Sequence, residues 1–200
     1  MVPDPSGKNQ QFPLGSFFWE RHLREIDMKE DSDFIRIMGE VVLPALPPVG
    51  PSRATRWRIL QVGAFFGSNT ERLLQVCPDA LITVVDPWDK NEGEGVAYSE
   101  FMCKYGMNSR VTVYKLPFSK FILTEGGGFP SFALAYIDEY CHPDSLLLHL
   151  FLAMACCPSV IAGYNSHVDY VRDVVGGFQR HFIWKYKLHV IGDQWALIPR

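Results

Sequence analysis

The sequence has 200 residues, of which 48% are hydrophobic and 20% are charged, and its formal net charge is −3 at pH 7. This length and composition fit one globular domain with a substantial core and argue against two independent domains. Lysine and arginine are scattered along the chain, which argues against a nucleic-acid partner because proteins that bind nucleic acids concentrate positive charge.

The first 56 residues precede the predicted core. Residues 1–15 are polar and turn-forming, so they predict a mobile arm, and they lack the basic and apolar regions of a secretory signal. Apolar residues then recur at helical spacing from Phe17 to Ile26, and a second helix is predicted from Asp33, as its N-cap, to about Val42. Residues 16–56 are therefore two N-terminal helices followed by a proline-rich linker.

From Trp57 onward, short apolar runs alternate with amphipathic segments, which is the pattern of βαβ units around a parallel sheet. Strands are predicted near Arg58–Val62, Leu81–Val85, Arg110–Lys115, Phe132–Ile137 and Ser159–Ala162. Helices are predicted near Asn69–Val76, Val96–Tyr105, Phe118–Ile122 and Asp144–Ala155, with another after His167. The runs Phe182–Ile191 and Gln194–Pro199, joined at Gly192-Asp193, predict an antiparallel hairpin. The predicted fold is α/β, a doubly wound and mostly parallel seven-stranded sheet.

The turn after the first strand is the first candidate ligand site. Gly63 and Gly67 enclose Ala64, Phe65 and a second phenylalanine, and Ser68 follows. In a doubly wound sheet this turn borders the ligand crevice, and the next helix offers free N–H groups there. Gly63 would let the chain turn sharply and Gly67 would admit close ligand approach. The alternative is a glycine turn with a purely structural role.

Asp86 ends the second strand, 23 residues after Gly63. An acidic residue at about this offset hydrogen-bonds a ribose diol in doubly wound folds. Asp before proline can also be a simple turn former, but the glycine turn at this distance favours the ribose role. A dinucleotide fingerprint needs glycine where this chain has Phe65 and Ser68, which disfavours a nicotinamide-dependent oxidoreductase.

Two later strands also end in polar residues. Asp138 follows the fourth strand, which is expected beside the first, and Asn165 lies in a polar cluster after the fifth. The carboxyl ends of these strands share one edge of the sheet. The sequence therefore predicts one crevice lined by these residues and Asp86.

These segments together resemble the class I S-adenosylmethionine-dependent methyltransferase superfamily, and within it the methyltransferase domain 24 group. The matching features, in chain order, are the Gly63 turn, Val85-Asp86-Pro87-Trp88, Ile137-Asp138, Val160-Ile161-Ala162-Gly163 and Gln194-Trp195. The resemblance implies that residues 57–200 bind S-adenosylmethionine, and that the terminal hairpin belongs to this fold. It implies a cofactor contact for Gly63, Ala64, Phe65, Gly67, Ser68, Asp86, Trp88 and Asp138.

Four positions depart from the family pattern. Gln61 replaces the acidic residue at the end of the first motif, and Glu139 replaces a glycine. His142 comes one place late, and Asn165 replaces an aspartate. The catechol-type relatives hold magnesium with two aspartates and an asparagine, whereas only Asp138 and Asn165 match here. One carboxylate and one amide are weak ligands for a hard dication, so no metal is predicted.

Methyl transfer from a sulfonium requires alignment of the acceptor and, where needed, removal of its proton. His142 and His167 are the candidate bases, with Asp138 as a further catalytic candidate. Histidines on surface loops often have no chemical role, which is the alternative for both. Tyr140, Trp88 and Phe65 could line the adenine or acceptor pocket or serve only in packing.

The five cysteines are odd in number, lack paired C-x-x-C spacing and lie mostly in apolar runs, as in reduced cytosolic proteins. The longest apolar stretch, Leu146 to Ala162, contains His149 and Pro158 and is shorter than a membrane helix. A cytoplasmic location without a membrane partner is therefore expected.

The sequence favours a methyltransferase acting on a small-molecule acceptor, or else on a protein side chain. The N-terminal helices would then form a lid or a homodimer contact. The main alternative is a catalytically inactive protein that keeps the fold for binding or assembly. Gln61, Glu139 and Asn165 are the residues that support this alternative.

Overall fold

The structure is a computed structural model and describes residues 31–48, 56–89, 94–125, 132–139, 142–157 and 159–200. The predicted arm of residues 1–15 and the helix predicted from Phe17 to Ile26 lie outside these ranges. In the described residues, seven strands form one sheet in the order β3-β2-β1-β4-β5-β7-β6. The predicted α/β fold is confirmed.

The strands are β1 Arg58–Val62, β2 Leu81–Val85, β3 Val111–Tyr114, β4 Leu134–Ile137, β5 Val160–Gly163, β6 Tyr186–Ile191 and β7 Gln194–Pro199. The helices after β1 are α2 Ser68–Val76, α3 Glu94–Tyr105, α4 Phe118–Thr124, α5 Pro143–Cys156 and α6 Asp169–His181, and the helix before β1 is α1, residues 31–45. Strands β1 to β5 pair in parallel, whereas β7 is antiparallel to both β5 and β6. The predicted terminal hairpin and its Gly192-Asp193 turn are confirmed. Its first strand begins later than predicted, because Phe182 caps α6 through an N–H bond to the carbonyl of Phe178.

The chain before β1 is helical over residues 31–45, here called α1, with a π-helical segment at Met38–Val42. The predicted N-cap Asp33 and the predicted end at Val42 are therefore wrong, since both lie inside the helix. Pro44 has no N–H, and its ring would clash with the carbonyl four residues earlier in a regular helix. The wider π turn, closed by the Leu43 N–H on the Met38 carbonyl, carries the helix past that proline.

The core has one layer on each face of the sheet, because successive strand residues point to opposite faces. Ile59 of β1 packs in the layer that includes Phe34 and Met38 of α1, together with α2 and α3. The neighbouring Leu60 packs in the opposite layer, with α4, α5 and α6. In the described ranges, no helix is long and apolar enough to cross a bilayer.

Candidate functional site

Strands β1 and β4 are neighbours at the centre of the sheet, and their connections leave toward opposite sides. Open α/β sheets bind ligands at this point, beyond the carboxyl ends of the strands. The structure places the predicted site residues at this edge. The residues predicted to contact the cofactor follow β1, β2 and β4. His142 is the N-cap of α5, and His167 follows β5.

Gly63 makes the sharp turn that its position predicts. Its φ is +82°, and a Cβ there would lie 2.0 Å from the carbonyl oxygen of Asp138, so only glycine fits between β1 and β4. Gly67 also has a positive φ, +91°, but the space beside it is filled by Phe101 and Tyr105 of α3. The missing Cβ of Gly67 therefore makes room for α3, and its contact with a ligand stays a prediction.

Asp86 is bound to the glycine turn directly. Its Oδ2 accepts the backbone N–H groups of Ala64 at 2.7 Å and Phe65 at 3.1 Å, and its Oδ1 accepts the N–H of Trp88 at 2.7 Å. A carboxylate has about four acceptor positions. Capacity for about one more donor is therefore left on this side chain.

The aromatic residues of the two turns differ in exposure. Phe65 is 51% exposed and stands over the turn, whereas Trp88 is 3% exposed and packs against Tyr98 and Phe101. The Trp88 indole N–H donates to the Phe65 carbonyl at 3.0 Å. Trp88 thus ties the β1 and β2 turns together and has little surface with which to contact a cofactor.

Gln61 holds the base of the glycine turn from inside β1. Its amide N–H donates to the Gly63 carbonyl at 3.0 Å, and its Oε1 accepts the hydroxyl of Thr70 on α2 at 2.8 Å. An acidic side chain could only accept hydrogen bonds, so it could not make the first of these contacts. The departure from the family pattern at this position therefore has a structural role.

Asp138 lies at the end of β4, where its carboxylate accepts the side-chain amide of Asn69 on α2. The next residue, Glu139, turns toward α5, and its carboxylate lies 3.1 Å from Nδ1 of His149. These two carboxylates thus face different neighbours. In the part of the chain that the structure describes, no group of three or more His, Cys, Asp or Glu side chains is arranged to hold a metal ion.

Tyr136 lies in β4, two positions before Asp138, and is completely buried. Its hydroxyl donates to Oε1 of Gln194 at 2.8 Å. Burial raises the pKa of Tyr136 well above its usual value, and the nearby negative charge of Asp138 raises the pKa further. At neutral pH the hydroxyl is therefore protonated and donates this hydrogen bond.

The two candidate bases have different surroundings. His142 is the N-cap of α5, where its Nδ1 accepts the Asp144 N–H at 3.4 Å, so it has a structural role. His167 is 48% exposed, and its Nδ1 lies 3.2 Å from the carboxylate of Asp193 in the hairpin turn. A carboxylate on one imidazole nitrogen fixes the ring and leaves the other nitrogen to accept a proton.

The segment that carries His167 is fixed to the hairpin turn. Ser166 donates its N–H to the Asp193 carbonyl at 3.0 Å and its hydroxyl to the Gly192 carbonyl at 2.7 Å. The preceding Asn165 is 2% exposed with a φ of +68°, and its Oδ1 has no hydrogen-bond partner among the described residues. This buried acceptor lies at the same edge of the sheet as Asp138.

A cleft of about 480 Å³ opens beside Pro87 and Glu139. Its walls come from the segments that follow β2, β3 and β4 and from the start of α5, and they include Pro87, Pro117, Phe118, Glu139, His142 and His149. Pro87, Pro117 and Phe118 are apolar parts of this lining, and Glu139 and His149 are polar parts of it. Such a cavity is the size of one small-molecule ligand.

The sequence predictions did not include Asn69, Arg72 or Asp193. Asn69 and Arg72 are three residues apart on one helix, so they lie on the same face of α2, which is a signal that the sequence contains. The sequence predicts Asp193 only as a turn residue. Its contact with His167 depends on the hairpin folding back to β5, which local sequence does not show.

No family model matches the chain, and no curated protein sequence matches it. Solved structures do match. One chain of the fibrillarin–Nop5p complex aligns with a TM-score of 0.54 and 13% identity, over 84% of this chain and 81% of that one. The O-methyltransferase TomG from Streptomyces achromogenes, in complex with S-adenosylmethionine, aligns with a TM-score of 0.51 and 17% identity, over 85% of this chain and 89% of TomG.

The S-adenosylmethionine-dependent methyltransferase SibL aligns with a TM-score of 0.55 and 14% identity, over 94% of this chain and 60% of SibL. Identities this low establish a common fold and nothing finer. The strand order, the antiparallel β7 and these neighbours agree with one another. The chain has the fold of the class I S-adenosylmethionine-dependent methyltransferases.

Proposed function

We propose that the protein is an S-adenosylmethionine-dependent methyltransferase that acts on a small molecule. The observation that carries this proposal is the pair of hydrogen bonds from the glycine turn, at Ala64 and Phe65, to Asp86. They fix a carboxylate beside the switch point of a sheet with methyltransferase strand order. The Val85-Asp86-Pro87-Trp88 segment supports a relationship between this chain and the methyltransferase domain 24 group.

The residues at the edge fit the cofactor. The acceptor position left on Asp86 suits one ribose hydroxyl, and the exposed ring of Phe65 can cover an apolar part of the ligand. The N-terminus of α2, which Gly67 caps without a side-chain bond, suits the methionine carboxylate. Asp86 and Asp138 add negative charge where the cofactor brings a sulfonium and an ammonium. When bound, the cofactor supplies the methyl group.

The cleft beside Pro87 and Glu139 supports a small-molecule ligand, because it is concave and has both apolar and polar walls. His167 is the better candidate for the base, since Asp193 orients its ring. The four described cysteines are free thiols, which supports the proposed cytoplasmic location. A homodimer through the N-terminal helices stays a prediction.

A catalytically inactive protein is the second candidate, and one observation favours it. Three backbone N–H groups already occupy Asp86, and Asn69 occupies Asp138, so both carboxylates serve the fold. A protein of this kind would bind the cofactor without transferring its methyl group. Formation of S-adenosylhomocysteine with a panel of phenol, catechol and amine acceptors would separate the two candidates.

The test of the proposed function is thermal unfolding of the full chain with S-adenosylmethionine or S-adenosylhomocysteine. At a ligand concentration of about 100 times the dissociation constant, binding adds about 2.7 kcal/mol to the free energy of unfolding. We expect a clear rise in melting temperature with either ligand and none with NAD. An unchanged melting temperature at millimolar ligand would contradict the proposal.

A further inference from the structure

We propose that helix α1 completes the cofactor site through a chain of polar contacts that runs from Asp31 through Arg72 and Asn69 to Asp138. This chain of contacts is called the polar relay below. The inference rests on the proposed function, because it assigns Asp31 and Arg72 as positioning residues for a carboxylate that faces the cofactor. It concerns residues that lie outside the glycine turn and the cleft.

The centre of the relay is Arg72 on α2. Its Nε contacts the carboxylate of Asp31, and its Nη1 donates to Oδ1 of Asn69 at 2.9 Å. The Arg72 side chain is only 13% exposed, so this contact with Asp31 is better shielded than a surface ion pair. The guanidinium is rigid and planar, so the contact of its Nε with Asp31 of α1 also sets the direction of the Nη1 donor.

Arg72 determines the orientation of the Asn69 amide. A guanidinium has donors and no acceptor, so the amide must present its oxygen to Arg72. Its NH₂ group then faces the opposite way and donates to Oδ2 of Asp138. Asn69 is 5% exposed, which leaves water little access to replace either contact. Carboxylate, guanidinium, amide and carboxylate thus follow one another, and each of the three contacts joins a donor to an acceptor.

The relay ends at the centre of the site. The backbone N–H of Asp138 donates to the Val62 carbonyl at 2.8 Å, and its own carbonyl lies against Gly63, so the main chain is fixed by β1. The Asn69 amide is one of the contacts that hold the carboxylate. Loss of the Asp31 contact would therefore weaken this support of the Asp138 side chain without moving the strand that carries it.

Electrostatics support this arrangement. The charges of both Asp138 and Arg72 act on the buried hydroxyl of Tyr136, the first raising its pKa and the second lowering it. Arg72 and Asp138 therefore both lie near the same part of β4. Phe34 of α1 packs edge-on against the Tyr136 ring at 5.7 Å, which places α1 on this part of the sheet.

The test is calorimetric titration of the full chain with S-adenosylhomocysteine, comparing the parent with Asp31→Asn and Arg72→Met. We expect the dissociation constant to rise about tenfold in each variant, since a hydrogen bond to a charged group is lost. The double variant should bind no more weakly than Arg72→Met alone, because both changes break one chain of contacts. Asp31→Glu should restore most of the affinity.

Glu40→Gln is the matched control, because it breaks the exposed α1 pair of Arg36 and Glu40, 3.7 Å apart, which has no path to the site. It should leave the dissociation constant unchanged. Melting temperatures of all variants separate folding from binding. If Asp31→Asn lowers the melting temperature but leaves the dissociation constant unchanged, the relay is only structural and the inference is wrong.

The outcomes also separate this inference from the proposed function. A parent that binds no S-adenosylhomocysteine overturns the proposed function and the inference with it. A parent that binds, with variants that bind equally well, overturns the inference alone. Should Arg72→Met fail to fold, Asp31→Asn decides the result, because Asp31 is half exposed and its loss leaves the core intact.

Discussion

Gly63 lies directly against Asp138, so that a Cβ on Gly63 would be 2.0 Å from the Asp138 carbonyl oxygen. Strands β1 and β4 can therefore converge only while position 63 is glycine. Gly63→Ala adds both this clash and the cost of a positive φ, and we expect it to lower the free energy of unfolding by about 2–4 kcal/mol. Urea unfolding measures the change.

The matched control for this change is Gly95→Ala in α3, where a Cβ would meet nothing within 4 Å. Helix propensity predicts that this variant gains about 0.5–1 kcal/mol. Equal stability of the two variants would show that the Gly63 contact carries no cost.

Asp86→Ala should weaken S-adenosylmethionine binding more than about tenfold, because it removes a ribose acceptor and the partner of three backbone N–H groups. Calorimetric titration gives the dissociation constant. Asp79→Ala, on the exposed turn before β2, is the control and should bind like the parent. A folded Asp86→Ala protein with parental affinity would exclude the ribose role.

Tyr136→Phe should lower the free energy of unfolding by about 1–3 kcal/mol, because it leaves Oε1 of the buried Gln194 without its donor. The double variant Tyr136→Phe with Gln194→Met removes both partners and should recover part of the loss. Chemical denaturation of these two variants and of Gln194→Met alone gives the coupling energy. Additive losses would mean that the hydroxyl and the amide do not interact.

Stability should fall in alkaline solution. Burial raises the pKa of Cys77 to about 11 and that of Cys157 to about 12, from 9.0 in the unfolded chain. The folded protein then keeps these protons while the unfolded chain loses them, so the stabilisation is complete below pH 9 and is lost between pH 9 and pH 11 to 12. Each group contributes a slope of about 1.4 kcal/mol per pH unit in that window.

Urea midpoints between pH 8 and pH 11 measure this slope. Cys77→Ala should flatten it, and Cys103→Ala, which changes an exposed thiol, should leave it as in the parent. An identical slope in all three proteins would exclude Cys77 and leave Cys157 as the candidate, together with Cys156, whose pKa burial raises to about 11. Tyr186, whose pKa burial raises to about 12, would be the next candidate.

Methyl transfer should not require a divalent metal. Asp138 accepts the Asn69 amide, and Glu139 faces His149, so the two carboxylates are not presented together. We expect equal rates in chelator and in added magnesium, measured as S-adenosylhomocysteine formed. Activity that chelator removes and magnesium restores would show that an unrecognised group completes a metal site.

The sheet could be predicted from the sequence because its signal is local. The bounds of β1, β2 and β7 match the predicted ranges, since each is a short apolar run between turn residues. The end of α1 could not be predicted in this way. Pro44 normally stops a helix, and only the π turn before it allows the last turn to form.

The candidate site was predictable in its glycine turn and in the carboxylates at the strand ends. What the sequence did not show is which partners those carboxylates have. Asn69 and Asp138 are 69 positions apart, and His167 and Asp193 meet through the hairpin turn. Such contacts depend on strand order, so they follow from the fold and not from a local pattern.

Three residues at the site edge have a left-handed backbone although they are not glycine, namely Phe65, Trp88 and Asn165. For Phe65 and Trp88 this conformation costs about 1–2 kcal/mol each, whereas asparagine adopts it readily. Glycine or asparagine at positions 65 and 88 would therefore raise the free energy of unfolding. A heat-adapted descendant with such residues would reveal whether ligand binding depends on the two aromatic rings.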